Sequence, residues 1–259
     1  MLKLENIHKT FNAGTIDECV LFDNFNLTVE KGEFVSVIGS NGSGKTTMLN
    51  MICGSIPFDS GKLYFADKDV TRLSEYKRAK FMGRVFQEPR MGTCPNLTIT
   101  ENMALADNKN KPFGLGFGVN KKKIDYYRTL VEECGLGLEN RMNVPVGSLS
   151  GGQRQALALV IANMSDIEML ILDEHTAALD PKSSEIVMQL TDKFVKKSNI
   201  TTLMVTHNLR FAVEYGSRLI MMHEGNCIID IKDNDKKNCK VDDLLKRFNE
   251  ISIESGNSV

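Results

Sequence analysis

The sequence predicts an α/β fold organised around a parallel sheet, and three observations predict it. Short, nearly continuous apolar runs alternate with stretches of helical period. One such run, Phe34–Ile38, leads into a glycine-rich turn and then a helix. Another, Met169–Leu172, ends in two adjacent acids. Strands buried on both faces read this way, because neither face needs polar side chains.

The elements follow in order. Leu2, Leu4 and Ile7, then Val20, Phe22, Phe25, Leu27 and Val29, alternate as the strands of an antiparallel hairpin system do. After the buried run at Phe34, a helix is expected over Thr46–Cys53. An edge strand is expected over residues 61–66, and a short strand ends at Val85, Phe86 and Gln87. From about Glu88 to Val160 the texture is helices and loops. Residues 107–123, rich in Gly, Asn and Lys, predict a mobile loop, with Lys121, Lys122 and Lys123 as a solvated entry to a helix over Ile124–Cys134. The strand Met169–Leu172 precedes a helix over Lys182–Lys196, opened by Asp180 as cap and Pro181 in the first turn. Then come a strand at Thr202–Val205, a helix at Leu209–Tyr215, a hairpin over Arg218–Asp230 and a terminal helix over Val241–Ile251.

Composition narrows the function. The 259 residues, 42% hydrophobic, are enough for one large core. With 32 basic and 33 acidic side chains the chain lacks the basic face that nucleic-acid binding requires, so no nucleic-acid partner is expected. No apolar run approaches the ~18 residues of a membrane span. The amino terminus has no signal-peptide apolar region, and the six scattered cysteines include no C-x-x-C pair. Both point to a reduced cytosolic setting.

The strongest local signal is Gly39, Ser40, Asn41, Gly42, Ser43, Gly44, Lys45 and Thr46, which fits G-x-x-x-x-G-K-[ST]. Glycines let backbone N–H groups close around phosphate oxygens, and the following helix adds its positive end. Lys45 is expected to neutralise the β- and γ-phosphates and Thr46 to reach Mg²⁺, with Thr47 next in the same turn. A chance match in a chain this long is roughly one in a hundred, and here the pattern also lies between a buried strand and a helix.

The acidic pair gains meaning beside that loop. Asp173, at the carboxyl end of an apolar strand, suits Mg²⁺, and Glu174 is placed to polarise an attacking water. Alone, an apolar strand followed by Asp-Glu is a common turn.

The segment Leu149, Ser150, Gly151, Gly152 and Gln153 carries a family resemblance. It matches the signature of ATP-binding cassette (ABC) ATPases, and further landmarks follow the same order. Phe11 resembles the adenine-stacking aromatic, Gln87 the Q-loop glutamine, Ala177 to Asp180 the D-loop and His207 the switch histidine. The other histidines, His8, His175 and His223, match no landmark and read as structural.

The resemblance implies a P-loop NTPase (RecA-like) core at about 1–87 and 165–230. An amino-terminal antiparallel β subdomain, an inserted helical subdomain at about 88–164 and a carboxyl-terminal helix complete one ABC ATPase domain. It further implies ATP and Mg²⁺ as cofactors, Thr46, Gln87 and Asp173 near the metal, and Glu174, Gln87 and His207 in hydrolysis. The helix-capping serine segment Ser150–Gln153 would serve nucleotide held on a second copy of the chain, and Asp180, in the D-loop, is a further expected nucleotide-binding residue. The expected partners are that second copy and an integral membrane permease, with a solute-binding protein reached through the permease. The expected place is the inner face of the cell membrane. The segment Arg90–Leu97, behind Pro89, suits the docking of a permease helix. Motifs such as DEHTAALDP resemble ATPases of bacterial amino-acid-type uptake systems, some of them for tryptophan or tyrosine. A soluble ABC ATPase of translation or DNA repair is the alternative, disfavoured by the single cassette and the short span from Gln87 to Ser150.

Overall fold

The computed structural model describes residues 1–109, 111 and 118–254. Ten strands are found among them: β1 Leu2–Phe11, β2 Cys19–Val29, β3 Phe34–Gly39, β4 Ser60–Phe65, β5 Lys68–Asp69, β6 Met82–Val85, β7 Met169–Asp173, β8 Thr201–Val205, β9 Arg218–His223 and β10 Asn226–Lys232. The α-helices are α1 Lys45–Cys53, α2 Glu75–Arg78, α3 Ile99–Asp107, α4 Ile124–Glu132, α5 Gly151–Asn163, α6 Pro181–Ser198, α7 Leu209–Glu214, α8 Asp233–Asn238 and α9 Val241–Glu254. The expected loop over residues 107–123 falls largely outside the described residues. Its flanks are described: Asp107 ends α3, and Lys123 donates to the Asp107 carboxylate at 2.7 Å.

The chain divides into two compact units, residues 1–75 with 201–259 and residues 76–200. In the first, β1 pairs antiparallel with β2 and with β4, and β4 pairs with β5. Thus β4 is interior to its sheet, whereas the sequence suggested an edge. The two-residue β5, too short to show an alternating pattern, takes the place beyond it. A second set in this unit is parallel: β3 lies between β8 and β9, with Val35 facing both Leu203 and Arg218. Every residue of β3 and of β8 is buried, which explains why both are mostly apolar, with only Ser36, Thr201 and Thr202 as buried polar side chains. Antiparallel β10 closes that side against β9.

The helix α9 completes a core cluster of Ile38, Ala212, Leu219, Met221, Leu244 and Ile251. The short α8, not foreseen in the polar run Asp233–Asn238, is secured by Lys236, whose ammonium donates to the carbonyls of Val213 and Tyr215 at 2.9 and 2.7 Å.

In the second unit β6 and β7 pair in parallel, Met82 with Met169 and Val85 with Leu172. Around them α3 to α6 form the helical part. Thr98 and Glu101 form a capping box at α3, and the side chain of Asn102 donates to the carbonyls of Cys94, Leu97 and Thr98, tying down the preceding loop. As the sequence indicated, Asp180 accepts from the Ser183 backbone N–H at the start of α6, and Pro181 occupies the first helical turn.

Candidate functional site

In the first unit, β3 ends at Gly39 and α1 begins at Lys45, so residues 40–44 form a tight loop between strand and helix. Gly39 has φ +154, and a Cβ there would lie 2.2 Å from the Met222 carbonyl oxygen of β9. Only glycine permits this approach between parallel strands. The Lys45 side chain folds back into the loop, and its ammonium donates to the Gly39 and Ser40 carbonyls at 2.8 Å each and to Ser43 Oγ at 3.3 Å. Lys45 and Ser43 are buried, whereas Ser40, Asn41, Gly42 and Thr46 are exposed and Thr47 is half-buried. A fixed positive charge therefore lies within a loop whose rim faces solvent, at the amino end of a helix. That is an anion cradle.

The same unit places His207, exposed, two residues beyond β8. Its neighbours fix the turn: Asn208 N donates to Thr206 Oγ1 at 3.0 Å, and Asn208 caps α7 by accepting from Phe211 N at 3.1 Å. Phe11 is half-buried at the end of β1, with the Lys9 ammonium 5.2 Å from its ring centroid. His223, which the sequence reading treated as structural, brings Nδ1 to 3.5 Å from Ser40 Oγ on the loop rim. Its only sequence signal is its position at the end of an apolar strand. His8, by contrast, pairs with Asp23 at 2.9 Å.

In the second unit, Asp173 ends β7 and is buried. Glu174 follows with φ +48, a left-handed conformation unusual for a side-chain-bearing residue. Such strain costs roughly 1–3 kcal/mol and persists only where its surroundings enforce it, typically at functional sites. It turns the chain abruptly out of the strand, so the two acids do not simply alternate across the sheet. His175 follows, buried against Thr191 Oγ1 at 3.2 Å, and burial pushes its imidazole pKa down to about 4. It is a neutral packing residue, as its lack of a landmark suggested.

Gln87 lies two residues past the end of β6 and is exposed. Glu88 is extended at φ −93, ψ 111, as the following Pro89 requires, and Pro89–Met91 form a single 3₁₀ turn. The continuous helix that Pro89 argued against is indeed absent at this point. Beyond it lies an open groove of about 490 Å³ within this unit, bordered by Arg84, Met91, Cys94, Leu105, Ala158 and Ala162. Met91 is 68% exposed.

The serine segment starts α5. Ser150 Oγ accepts from Gln153 N at 3.3 Å while Gln153 Oε1 accepts from Ser150 N at 3.2 Å, a reciprocal capping box. Arg141 and the Leu136 carbonyl hold the Gln153 amide from the other side, each at 3.2 Å. A Cβ at Gly152 would come within 2.9 Å of Ser183 on α6, so this position admits no side chain. Ser150 and Gly151 are exposed at the positive end of α5. Asp180 is exposed at the start of α6, and its bond from the Ser183 hydroxyl, then from the Ser183 backbone, lowers its carboxyl pKa.

The structure thus gathers Gly39–Thr46, His207 and Phe11 in one unit and Gln87, Ser150–Gln153, Asp173, Glu174 and Asp180 in the other. Sequence reasoning missed Arg84, whose guanidinium donates to Asp173 Oδ2 at 2.6 Å. Its signal was a basic residue inside the buried strand Met82–Val85, a place where charge needs a partner.

Comparison with known proteins gives the family and the fold. The ABC transporter family profile matches residues 22–177. The chain is 46% identical over 248 residues to a tyrosine transport ATP-binding protein of Clostridioides difficile (strain R20291), covering 96% of this chain and 98% of that protein. It is 31% identical to the phosphonates import ATP-binding protein PhnC of Lactococcus lactis subsp. cremoris (strain SK11), covering 89% and 92%. Among solved structures, the dimeric post-hydrolysis state of the ATP-binding cassette MJ0796, bound to ADP and Pi, has TM-score 0.76 and 31% identity, covering 90% of this chain and 98% of that one. The ADP conformation of the cassette MJ1267 has TM-score 0.80 and 26% identity, covering 98% of both. The family profile spans more than half of the chain, and the similarity to the tyrosine transport protein covers 96% of it. The chain belongs to the ABC transporter family, as an ATP-binding and ATP-hydrolysing subunit with the P-loop NTPase fold.

Proposed function

We propose that this chain is the motor subunit of an uptake system for an amino acid, with tyrosine as the foremost candidate, and that it acts as an ATP-closed pair against a membrane permease. The observation that carries the motor assignment is the strand-end chemistry: a buried lysine inside a phosphate-sized loop after β3, and an Asp-Glu pair with a strained turn after β7. The substrate assignment rests on similarity to the tyrosine transport protein over nearly the whole of both chains. No helix among the described residues is long and apolar enough to cross a membrane, so the membrane path is assigned to a separate permease.

In this reading Lys45 and the loop N–H groups hold the β- and γ-phosphates, and Phe11 stacks on the base. Glu174 takes the proton of the attacking water, with Gln87 and His207 contacting the γ-phosphate side. Ser150, Gly151, Gly152 and Gln153 act on nucleotide held by the second copy, and Asp180 belongs to the nucleotide-binding set. Hydrolysis removes the γ-phosphate that bridges the two copies and lets the pair open, the usual logic of γ-phosphate switches.

The residues present fit Mg²⁺ carried by a nucleotide. This hard cation takes one or two protein oxygens plus substrate phosphates instead of an all-protein cage. Thr46 offers an exposed hydroxyl and Asp173 a carboxylate at a strand end. Bound there, Mg²⁺ would neutralise phosphate charge.

The groove beside Pro89, lined by Met91 and Cys94, is assigned to a short cytoplasmic helix of the permease. Gln87, two residues before Pro89, would relay the state of the γ-phosphate to it. The soluble translation or repair reading lacks such an observation. Uptake of labelled tyrosine by cells lacking this chain tests the assignment. Restoration by the wild-type chain but not by Lys45→Ala supports it. Normal tyrosine uptake without the chain overturns the substrate assignment.

A further inference from the structure

Arg84 is the one basic residue of strand β6, and its geometry is set by register. It faces Ile171 across the parallel β6–β7 pair. Side chains two apart along a strand share a face, so Arg84 and Phe86 point the same way as Ile171 and Asp173. From that position the guanidinium reaches one step up the partner strand and donates from Nη2 to Asp173 Oδ2 at 2.6 Å. Both side chains are nearly closed off from solvent, at 13% and 12% exposure. The guanidinium also lies over the Phe86 ring at 4.6 Å from the centroid, and Phe86 immediately precedes Gln87. Phe86 is itself held, its carbonyl accepting from Gln155 Nε2 at 2.9 Å. The Nε of Arg84 is buried with no hydrogen-bond partner. A buried polar atom without a partner is a cost, accepted here so that the guanidinium can reach the carboxylate.

The geometry points to Arg84 as a positioning residue for ATP hydrolysis: a resident counter-ion of Asp173 that sets how much divalent cation the site requires. The inference rests on the assignment of Asp173 as a Mg²⁺-side carboxylate. Arg84 sets a positive charge directly against the Asp173 carboxylate. A divalent cation held by the same carboxylate would share it with the Arg84 guanidinium, and repulsion between the two positive charges would weaken its hold. Removing the arginine leaves a buried, uncompensated carboxylate. That species is worse off without the cation and better off with it. Arg84 therefore restrains cation binding while keeping Asp173 ready for it.

The test is the affinity of the full chain for a fluorescent ATP analogue, measured in EDTA and in Mg²⁺, and expressed as the ratio of the two dissociation constants. For Arg84→Met this ratio is expected to rise about tenfold over wild type, the lower end of the range by which outer partners tune metal sites. Arg84→Lys, which keeps the charge, should stay within about twofold of wild type. The melting temperature in EDTA should fall for Arg84→Met and recover on adding Mg²⁺ and nucleotide. In an Asp173→Asn background Arg84→Met should leave the ratio unchanged. Should Arg84→Met not fold, Arg84→Gln removes the same charge and is expected to raise the ratio in the same direction. An unchanged ratio in the neutral variants overturns the inference, as does a lowered one, which would make Arg84 a purely orienting partner. If Asp173→Asn alone leaves the wild-type ratio intact, the assignment of Asp173 itself fails, and this inference with it.

Discussion

The Lys45 ammonium donates to the carbonyl of Gly39, six residues earlier, at 2.8 Å, closing the loop on itself across the strand-to-helix turn. The same nitrogen also reaches the Ser40 carbonyl. The loop is thus shaped around its own charge before any phosphate arrives, and loop shape and loop charge become one property.

Lys45→Ala is therefore expected to weaken nucleotide binding by about 10- to 100-fold, the scale of one charge-assisted hydrogen bond in a closed site. Turnover should disappear. Fluorescent-nucleotide titration and phosphate release measure both, and near-wild-type turnover would remove the phosphate assignment of the loop.

Gly39→Ala adds a Cβ that meets the Met222 carbonyl oxygen at 2.2 Å, and backbone cannot step aside as a side-chain tip can. The expected cost is about 1–3 kcal/mol of stability, as for overpacked cores, together with loss of nucleotide affinity. Chemical denaturation with a matched binding curve checks it. Wild-type values in both would mean that β3 and β9 are not this close.

The two cysteine classes give a test of the helical unit that needs no nucleotide. Burial pushes the Cys134 thiol up to about 12, so almost none of it is thiolate at pH 8. Cys19, Cys94 and Cys227 are exposed. A thiol reagent at pH 8 should label Cys19 and Cys94 rapidly in the native protein, Cys227 more slowly because burial raises its thiol pKa, and Cys134 only on unfolding. Mass spectrometry of the digested protein reads this directly; fast labelling of Cys134 would contradict the packing of α4 and the turn that follows it.

Ser150 separates a local role from a shared one. Ser150→Ala removes the cap oxygen from Gln153 N, with an expected cost of about 1 kcal/mol. Ser150→Arg should leave nucleotide binding by the separated chain within about twofold of wild type, yet abolish turnover, because the serine end of α5 is assigned to nucleotide on the other copy. Binding by titration and turnover by phosphate release should part company. Their joint loss would place Ser150 beside the chain's own nucleotide.

Much of this was legible in the sequence because local rules and tertiary demands coincide there. The β3 run is apolar because both faces are buried, and Asp180-Pro181 opens a helix by capping geometry alone. The cap at Ser150 was legible from its serine, and the structure adds the reciprocal bond from Gln153. Four features were not legible. The interior place of β4 depends on the two-residue β5, too short for any period to show. The helix α8 lies in a polar run and owes its place to Lys236 finding two carbonyls distant in sequence. The Arg84–Asp173 pair joins residues 89 apart, and only the β6–β7 register reveals it. The left-handed turn at Glu174 has no signal in its residue type, since glutamate rarely adopts it.

The most direct measurement is the mass of the Glu174→Gln variant by light scattering, with and without Mg-ATP. Glutamine cannot take the proton from water, so ATP should bind and persist, and the γ-phosphate should hold two chains together. The account predicts a monomer of 28.9 kDa without nucleotide, twice that mass with Mg-ATP, and return to monomer when ADP replaces it. A variant that stays monomeric at saturating Mg-ATP, or one that still hydrolyses ATP at the wild-type rate, would contradict it.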